Sequence, residues 1–300
     1  MTDSLAPSPA IGLYLDMMKR VLTDSIFTDD PLAYFVPYRE RPQTVIWKRI
    51  AVKMLQRFLL RYRLRVVEPY SDRWVDYTTL DQKALDAIRE RGARWPVRAH
   101  TMIGLRRLSN LQHCAETVIR EGIPGDFIET GVWRGGACIF MRAVLKVYGD
   151  TTRIVWVADS FAGLPPPDAQ TYPADAGDPH STLSDWLACS QEQVEGNFRR
   201  YGLLDDQVRF LNGWFKDTLP NAPIRQLAVL RLDGDMYEST LQAFNALYDK
   251  LSPGGFVIID DYFLKPCAQA VHDFRKVRGI SDEIRDIDGM AVFWRRSACP

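Results

Sequence analysis

Apolar and polar residues follow two different patterns along the chain, and the pattern changes near residue 100. Before that point the spacing is helical, and the stretch IGLYLDMMKRVL predicts a packed amphipathic helix. Its apolar positions are Leu13, Leu15, Met17, Met18 and Leu22. From residue 101 onward, short apolar runs are separated by segments long enough for helices. We therefore divide the chain into an N-terminal helical region, residues 1–100, and a second domain, residues 101–300.

Five apolar runs after residue 100 each have Asp, Glu, Asn or Gly as the last or next-to-last residue. They are DFIET, RIVWVADS, VRFLNG, LAVLRLDGD and GGFVIIDDY. Several are apolar on both faces, as expected for strands of a sheet that helices cover on both sides. The alternation of strands and helices predicts an α/β fold with a doubly wound, mostly parallel sheet. Because ligands of such sheets bind beyond the carboxyl ends of the strands, the polar residues that close the runs should converge on one crevice.

Composition restricts the partners that this chain attracts. The 300 residues include 38 basic and 38 acidic side chains, so no overall field favours nucleic acid. No apolar run approaches the roughly 18 residues of a membrane span, and the N-terminus lacks the features of a signal peptide. The five cysteines are widely spaced and contain no CxxC pair, which favours reduced thiols over disulfides or zinc. We expect a cytoplasmic protein with no integral membrane segment.

The ends of the first two runs predict a nucleoside cofactor. In ETGVWRGGA, Glu129 closes the strand, Gly131 lies in the turn, and Gly135 and Gly136 stand where the next helix would start. Glycines there let the backbone approach a ligand closely, and free helix amides suit an anionic group. A tight strand-to-helix turn without a ligand is the alternative, and the spacing differs from GxGxxG. Asp159, which closes the second run, is placed to accept hydrogen bonds from two ribose hydroxyls.

The ends of the last two runs predict a metal site. Asp233 closes one run, and Asp260 and Asp261 close the next. Carboxylates at the end of a buried strand repel each other and lose hydration, and a divalent cation would offset both costs. An all-carboxylate set suits Mg²⁺, Mn²⁺ or Ca²⁺ rather than zinc. The alternative is helix capping, which is the usual role of a single aspartate such as Asp261 at a strand end.

Longer motifs carry a family resemblance. These are TMIGLRRLSNLQHCAETVIREGIPGDFIETGVWRGGA, VADSFAGLP, GWFKDTLP, LRLDGDMYEST and GGFVIIDDY. They resemble the macrocin and mycinamicin sugar O-methyltransferases, a family that also includes aminocoumarin sugar O-methyltransferases. The similarity is close from about residue 101 to 294 and looser over LYLDMMKRVLTDSIFTDDP. It implies a Rossmann-like class I methyltransferase fold, S-adenosyl-L-methionine as methyl donor, Mg²⁺ at the acceptor site and a homodimer.

The resemblance also implies residue roles. Asp233, Asp260 and Asp261 match the metal ligands of the family, and Asp235 matches the general base proposed for part of it. The positions that match cofactor contacts are Thr101, Met102, Glu129, Thr130, Gly131, Val132, Trp133, Asp159, Ser160, Phe161, Gly163, Gly213 and Trp214.

Several residues keep two interpretations. Asp235 is either the base or a structural hydrogen-bonding group, and Tyr237 is either a pocket wall or a packed aromatic residue. His180 lies in a polar segment that would serve as a lid over the acceptor, whereas His272 is expected to be structural. The basic segment 39–66 is either a helix for a membrane surface or anionic partner, or a helix whose Lys and Arg stems cover apolar surface. This segment departs from the shorter family members, which leaves the acceptor open.

These observations together favour a Mg²⁺-dependent, S-adenosylmethionine-dependent O-methyltransferase. Its expected acceptor is a small molecule, a hydroxyl of a sugar or polyhydroxylated natural product, with no role for nucleic acid. Methylation of a catechol-like phenol is an alternative, since a catechol also offers two adjacent oxygens to a metal. A nucleoside-binding module without turnover is the other alternative.

Overall fold

The computed structural model of the protein describes residues 8–26, 34–35, 87, 90–92, 95–96, 98–178 and 187–297. The predictions for the basic segment 39–66 and for His180 lie outside these residues. Among the helices described, none combines the length and the apolar character that crossing a bilayer requires.

The described helices surround a central sheet. They are α1 Pro9–Leu22, α2 Leu105–Arg120, α3 Gly136–Val147, α4 Gln191–Arg200, α5 Phe215–Thr218, α6 Tyr237–Leu247 and α7 Lys265–Arg278. There are also two short 3₁₀ helices in the described ranges. Pro173–Asp175 comes before α4, and Tyr248–Lys250 directly follows α6.

The strands form a two-stranded pair and a seven-stranded sheet. The pair is antiparallel and consists of β1 Tyr34–Phe35 and β2 Trp95–Pro96. The large sheet contains β3 Asp126–Thr130, β4 Val155–Asp159, β5 Val208–Asn212, β6 Leu227–Leu232, β7 Leu251–Ile259, β8 Arg285–Asp286 and β9 Val292–Arg295.

The large sheet has the order β5-β4-β3-β6-β7-β9-β8. Strands β5, β4, β3, β6 and β7 are parallel, and β9 runs antiparallel to both β7 and β8. The prediction of a doubly wound, mostly parallel sheet is therefore confirmed. The chain moves outward from β3 to β5 and then returns to the other side of β3 as β6, so a topological switch point lies between β3 and β6. A crevice for a ligand is expected at such a point.

Two apolar cores cover the two faces of the sheet. Adjacent residues of β3 show the alternation, since Phe127 and Ile128 are both fully buried and belong to different cores. The first core packs α1, α2, α3 and α4 on one face, and the second packs α6 and α7 on the other. Burial on both faces explains why the central strands are mostly apolar.

Helix α1 packs by a narrower face than its sequence predicts. Leu15, Met18 and Leu22 are buried and belong to the first core, whereas Leu13 is 71% exposed and Met17 is 49% exposed. At about 100° per residue, positions 15, 18 and 22 share one face and positions 13 and 17 lie on the opposite one. The predicted packed helix is present, but assigning Leu13 and Met17 to its buried face was wrong. The boundary at residue 100 stays a prediction.

Candidate active site

The turn after β3 lies against the turn after β6. Gly131 has φ +86°, and a Cβ built on it would lie 1.7 Å from the carbonyl oxygen of Asp233. Only glycine fits this contact, because any side chain would overlap that backbone. The amide of Asp233 also donates to the carbonyl oxygen of Thr130 at 2.9 Å. The loop predicted to hold the cofactor and the loop predicted to hold the metal are therefore in direct contact.

The start of α3 packs against the segment that precedes α2. A Cβ on Gly136 would lie 2.4 Å from the carbonyl oxygen of His100 and 2.6 Å from the Cβ of Thr101. Thr101 is buried, and Met102 beside it is half-buried. This close contact places Thr101 next to the loop that follows β3, as the family resemblance implies.

Asp159 connects the loops that follow β3 and β4. Its carboxylate accepts hydrogen bonds from the amides of Val132 and Phe161, each at 2.7 Å. Burial raises the pKa of Asp159, and these backbone amides oppose that rise. Trp133 is a third backbone donor to this carboxylate, which is therefore held by the loops that follow β3 and β4. Trp133 and Phe161 have φ +47° and +54°, which is strained backbone of the kind found at ligand sites.

The remaining predicted cofactor residues lie beside Asp159. The Ser160 hydroxyl donates to the carbonyl oxygen of Gly163 at 2.7 Å and closes the turn after β4. The amide of Gly213 donates to the carbonyl oxygen of Asp159 at 2.9 Å, which brings the end of β5 to the end of β4. Trp214 follows with 36% of its surface exposed. The structure thus gathers the predicted set along the carboxyl ends of β3, β4 and β5, and its role in cofactor binding stays a prediction.

Three carboxylates meet at the ends of β6 and β7. Asp233, Asp260 and Asp261 each offer an oxygen, and these oxygens lie within 4.8 Å of one another. Asp260 and Asp261 are buried, and Asp233 is half-buried. Strands β6 and β7 are neighbours in parallel register, with Leu232 opposite Ile259, so their ends bring the three carboxylates together.

The pKa values of Asp233 and Asp261 show how unfavourable the grouping of these carboxylates is. Burial, followed by the charge of Asp260, raises the pKa of Asp233 to about 6. Burial, followed by Asp235 and then Asp233, raises the pKa of Asp261 well above its usual value. A divalent cation would remove both the repulsion and part of the desolvation cost. The donor set therefore fits an oxygen-preferring cation.

Two buried arginines beside the carboxylates were missed in the sequence. Arg231 lies inside β6 with 1% of its surface exposed, and its guanidinium contacts Glu129, Asp233 and Asp260. Arg107 of α2 pairs with the other oxygen of Asp260 and with Asp288. The signal for Arg231 is visible in the sequence, since it is one cation between two leucines of an otherwise apolar strand.

Glu129 faces the arginine cluster. One carboxylate oxygen pairs with Arg231, and the other accepts a hydrogen bond from the Cys138 thiol at 2.9 Å. Burial raises the pKa of Glu129 to about 7, and the nearby Arg231 opposes that rise. The predicted contact of Glu129 with the cofactor stays a prediction, and its observed partners are Arg231 of β6 and Cys138 of α3.

Asp235 lies in the same loop as Asp233. Its amide donates to the Asp261 carboxylate at 3.0 Å, and its φ of +59° is a left-handed conformation that Asp tolerates better than most residues. The predicted base is thus held beside a predicted metal ligand.

Tyr237, at the start of α6, has partners on two sides. Its ring lies 6.1 Å from that of Tyr172, and its hydroxyl donates to Asp273 at 3.2 Å. His272 is exposed, and its ring nitrogen lies 2.9 Å from the Tyr262 hydroxyl. These contacts suit a packed aromatic residue and a surface histidine.

Asp175 links a distant loop to the start of α6, a contact that no local pattern predicts. Asp175 is fully buried, and its carboxylate accepts hydrogen bonds from the amides of Tyr237 and Glu238 at 2.8 and 2.9 Å. These are first-turn amides that lack partners within the helix. Asp175 therefore caps α6 from another part of the chain. The helix that it caps begins two residues after Asp235.

We expect Asp175→Ala to lower the free energy of unfolding by about 1–2 kcal/mol, because two buried helix amides lose their acceptor. Urea denaturation measures the change. Asp168→Ala is the matched control, since Asp168 also accepts from two backbone amides but on the exposed surface of its own loop. Equal losses in both variants would contradict a special role for Asp175.

His100 is a half-buried titratable group next to Thr101. Its Nδ1 lies 2.7 Å from the Tyr201 hydroxyl. Burial lowers the pKa of His100 to about 4, and the positive charges of Arg134 and Arg200 add to this effect. The ring is therefore neutral in the folded protein at pH 7.

We expect His100→Gln to reduce the loss of stability between pH 6.5 and pH 4. In the wild type the unfolded chain binds a proton near pH 6.5 and the folded state only near pH 4, so stability falls as the pH falls through this window. Thermal unfolding at pH 7.5 and pH 5 measures the slope. Tyr201→Phe should keep it, because burial is the main cause of the shift. An unchanged slope in His100→Gln would contradict this explanation.

Comparisons with known proteins identify the family. Residues 11–296 match the family model described as macrocin O-methyltransferase (TylF). The 8-demethyl-8-(2,3-dimethoxy-alpha-L-rhamnosyl)-tetracenomycin-C 4'-O-methyltransferase of Streptomyces olivaceus is 50% identical, over 96% of this chain and 94% of that protein. Mycinamicin III 3''-O-methyltransferase of Micromonospora griseorubida is 55% identical, over 71% of this chain and 85% of that protein.

A solved structure shows the same fold. The O-methyltransferase NovP superposes with a TM-score of 0.76 at 42% identity, covering 96% of this chain and 100% of that one. The class I methyltransferase fold expected from the motifs is confirmed. On these matches the chain belongs to the macrocin O-methyltransferase family, as its motifs suggested, and is an O-methyltransferase.

Proposed function

We propose that this protein is a Mg²⁺-dependent, S-adenosylmethionine-dependent O-methyltransferase that modifies a sugar hydroxyl of a glycosylated natural product. The observation that carries the proposal is the contact between Gly131 and Asp233. It joins a glycine turn suited to a nucleoside-containing methyl donor to a cluster of three carboxylates suited to a divalent cation. A methyl donor and a metal-bound acceptor would thus meet at the switch point of the sheet.

The sugar acceptor is supported by what the relatives act on. The Streptomyces relative is named for a rhamnosyl tetracenomycin and the Micromonospora relative for mycinamicin III. A sugar diol offers two neighbouring oxygens that one cation can hold, which suits the carboxylate cluster. We infer the same acceptor class for this chain.

Cofactor binding, metal binding and proton acceptance are assigned to different side chains. Asp159 is placed to accept hydrogen bonds from ribose hydroxyls at the end of β4. Asp233, Asp260 and Asp261 would hold the Mg²⁺, which when bound lowers the pKa of a coordinated hydroxyl and fixes its position. Asp235, in the loop between Asp233 and α6, is placed to accept the hydroxyl proton.

Proton removal is needed because methyl transfer to oxygen proceeds by direct displacement. The new C–O bond forms as the C–S bond of the sulfonium donor breaks, with the electron pair leaving on sulfur. An aliphatic hydroxyl is a weak nucleophile at pH 7 while its proton remains. The carboxylate of Asp235 would accept that proton, while Asp233, Asp260 and Asp261 would hold the cation that positions the hydroxyl.

The acceptor class is tested with a matched set of compounds. The set contains a rhamnosylated polyketide, the same polyketide without its sugar, and a simple catechol, each with S-adenosylmethionine and Mg²⁺. We expect methylation of the glycoside alone, located on the sugar by mass spectrometry. Methylation of the catechol or of the sugar-free compound at a similar rate would refute the sugar acceptor.

The homodimer and the cytoplasmic location stay predictions from the sequence and its family resemblance.

A further inference from the structure

Arg231 occupies the point where three strand ends converge. Its guanidinium contacts Glu129 at the end of β3, Asp233 after β6 and Asp260 after β7. The Nη1–Asp233 distance is 2.7 Å, and the side chain is 1% exposed. Because Arg231 lies within β6, its backbone is fixed by the ladders to β3 and β7 on both sides. A buried cation that is held this firmly also fixes the groups that it contacts.

These contacts restrict how the carboxylates present their oxygens. A guanidinium donates several hydrogen bonds in one plane, so a carboxylate paired with it loses rotational freedom. Each carboxylate oxygen has a second acceptor site, so pairing with arginine leaves room for a cation. Asp260 is held on both oxygens, one by Arg231 and the other by Arg107.

The pairing also offsets repulsion inside the cluster. The like charges of Asp233 and Asp260 repel each other, and the Arg231 guanidinium lies against both carboxylates. Asp261 differs, since no arginine within the described ranges lies at ion-pair distance from it. Two of the three predicted ligands are therefore oriented in advance, and the third is left to the cation.

We propose that Arg231 is a positioning residue of the metal centre: anchored by Glu129, it holds Asp233 and Asp260 in the arrangement that receives the cation. The inference rests on the proposed metal site. It assigns to Arg231 a role that neither a cofactor contact nor a proton transfer requires, and that a point charge at the same place cannot fill.

The test is Arg231→Lys, which keeps the charge and removes the planar fork. Isothermal titration with Mg²⁺ alone, on protein stripped with chelator, gives the Kd. We expect the Kd to rise about 10- to 100-fold, the usual effect of losing a group that orients a metal ligand. Raising the Mg²⁺ concentration should restore most of the turnover, and the Kd for S-adenosylmethionine should change less than threefold.

Arg142→Lys is the matched control, because Arg142 is also a buried arginine, paired with Asp205 away from the site. It should leave the Mg²⁺ Kd unchanged. If Arg231→Lys does not fold, Glu129→Gln takes its place, since it weakens the anchor without altering a metal ligand, and we expect a rise of about three- to tenfold.

The outcomes separate two failures. A folded Arg231→Lys or Glu129→Gln with the wild-type Mg²⁺ Kd would overturn the positioning role, even if its melting temperature fell. A wild-type protein that binds no Mg²⁺ would instead overturn the metal site of the proposed function.

Discussion

Asp261→Asn is expected to lower the metal-dependent rate of methyl transfer by about 1000-fold or more while the protein stays folded. A factor of 1000 corresponds to about 4 kcal/mol of transition-state stabilisation, which is what a lost metal contact removes. Asp261 is the best of the three ligands for this test, because within the described part of the chain its carboxylate accepts one hydrogen bond, from the amide of Asp235. Removing a buried charge that is repelled by Asp235 and Asp233 should not destabilise the metal-free protein.

Thermal unfolding gives the independent readout. Mg²⁺ should raise the melting temperature of the wild type and leave that of Asp261→Asn unchanged, because only a cation-binding folded state is stabilised by mass action. Asp260→Asn is a poorer choice. It breaks buried ion pairs with Arg107 and Arg231, which would lower the free energy of unfolding by about 3–5 kcal/mol. A loss of activity could then come from unfolding as well as from a lost metal ligand. Full Mg²⁺-dependent turnover in Asp261→Asn would remove this residue from the metal site.

Asp235→Asn is expected to lower kcat by about 100- to 10,000-fold while the Mg²⁺ Kd stays within about threefold, because general base catalysis contributes on that scale. Asn is the right replacement. The backbone at position 235 has φ +59°, which Asn tolerates nearly as well as Asp and which Ala would strain. The fold of the loop is therefore kept while the proton acceptor is lost.

Asp24→Asn provides the control for this prediction. Asp24 also has a positive φ, +50°, and pairs with Arg98 at the end of α1, so the same chemical change is made in the same backbone conformation. We expect kcat to change less than threefold. Kinetics at saturating Mg²⁺ and donor give both values. An Asp235→Asn enzyme with wild-type kcat would assign Asp235 to loop structure alone.

The sequence predicted the strand ends well because their chemistry is local. Apolar runs ended by Asp233, by Asp159 and by the pair Asp260 and Asp261 specify both a buried strand and the edge at which it stops. The topology rule for parallel sheets then brings those ends together. The carboxylate cluster could therefore be predicted before any contact was known.

Residues that act through distant contacts could not be predicted in this way. Arg107 stands in the motif GLRRLSN beside Arg106, and two adjacent arginines do not by themselves show which of them is buried. The helical spacing gives a partial signal that Arg107 is the buried one, since Arg107 and Leu111 lie four residues apart on the same face of α2. Its partners Asp260 and Asp288 are more than 150 residues away. Asp175 is similar, because its cap depends on a helix that begins 62 residues later.

Glu129 shows a different reason why the sequence did not predict a side-chain contact. Its position at the end of β3 fits a cofactor contact, and only the side-chain geometry reveals that Arg231 and Cys138 occupy its carboxylate. A motif fixes the place of a residue more firmly than it fixes the partner of its side chain.

The most direct measurement is methyl transfer from labelled S-adenosylmethionine to a rhamnosylated polyketide, with protein first stripped of metal by chelator. We predict label in the glycoside when Mg²⁺ is restored and at least 100-fold less without it. Equal transfer in the absence of a divalent cation would contradict the central claim that the carboxylates at the ends of β6 and β7 form a metal site for catalysis.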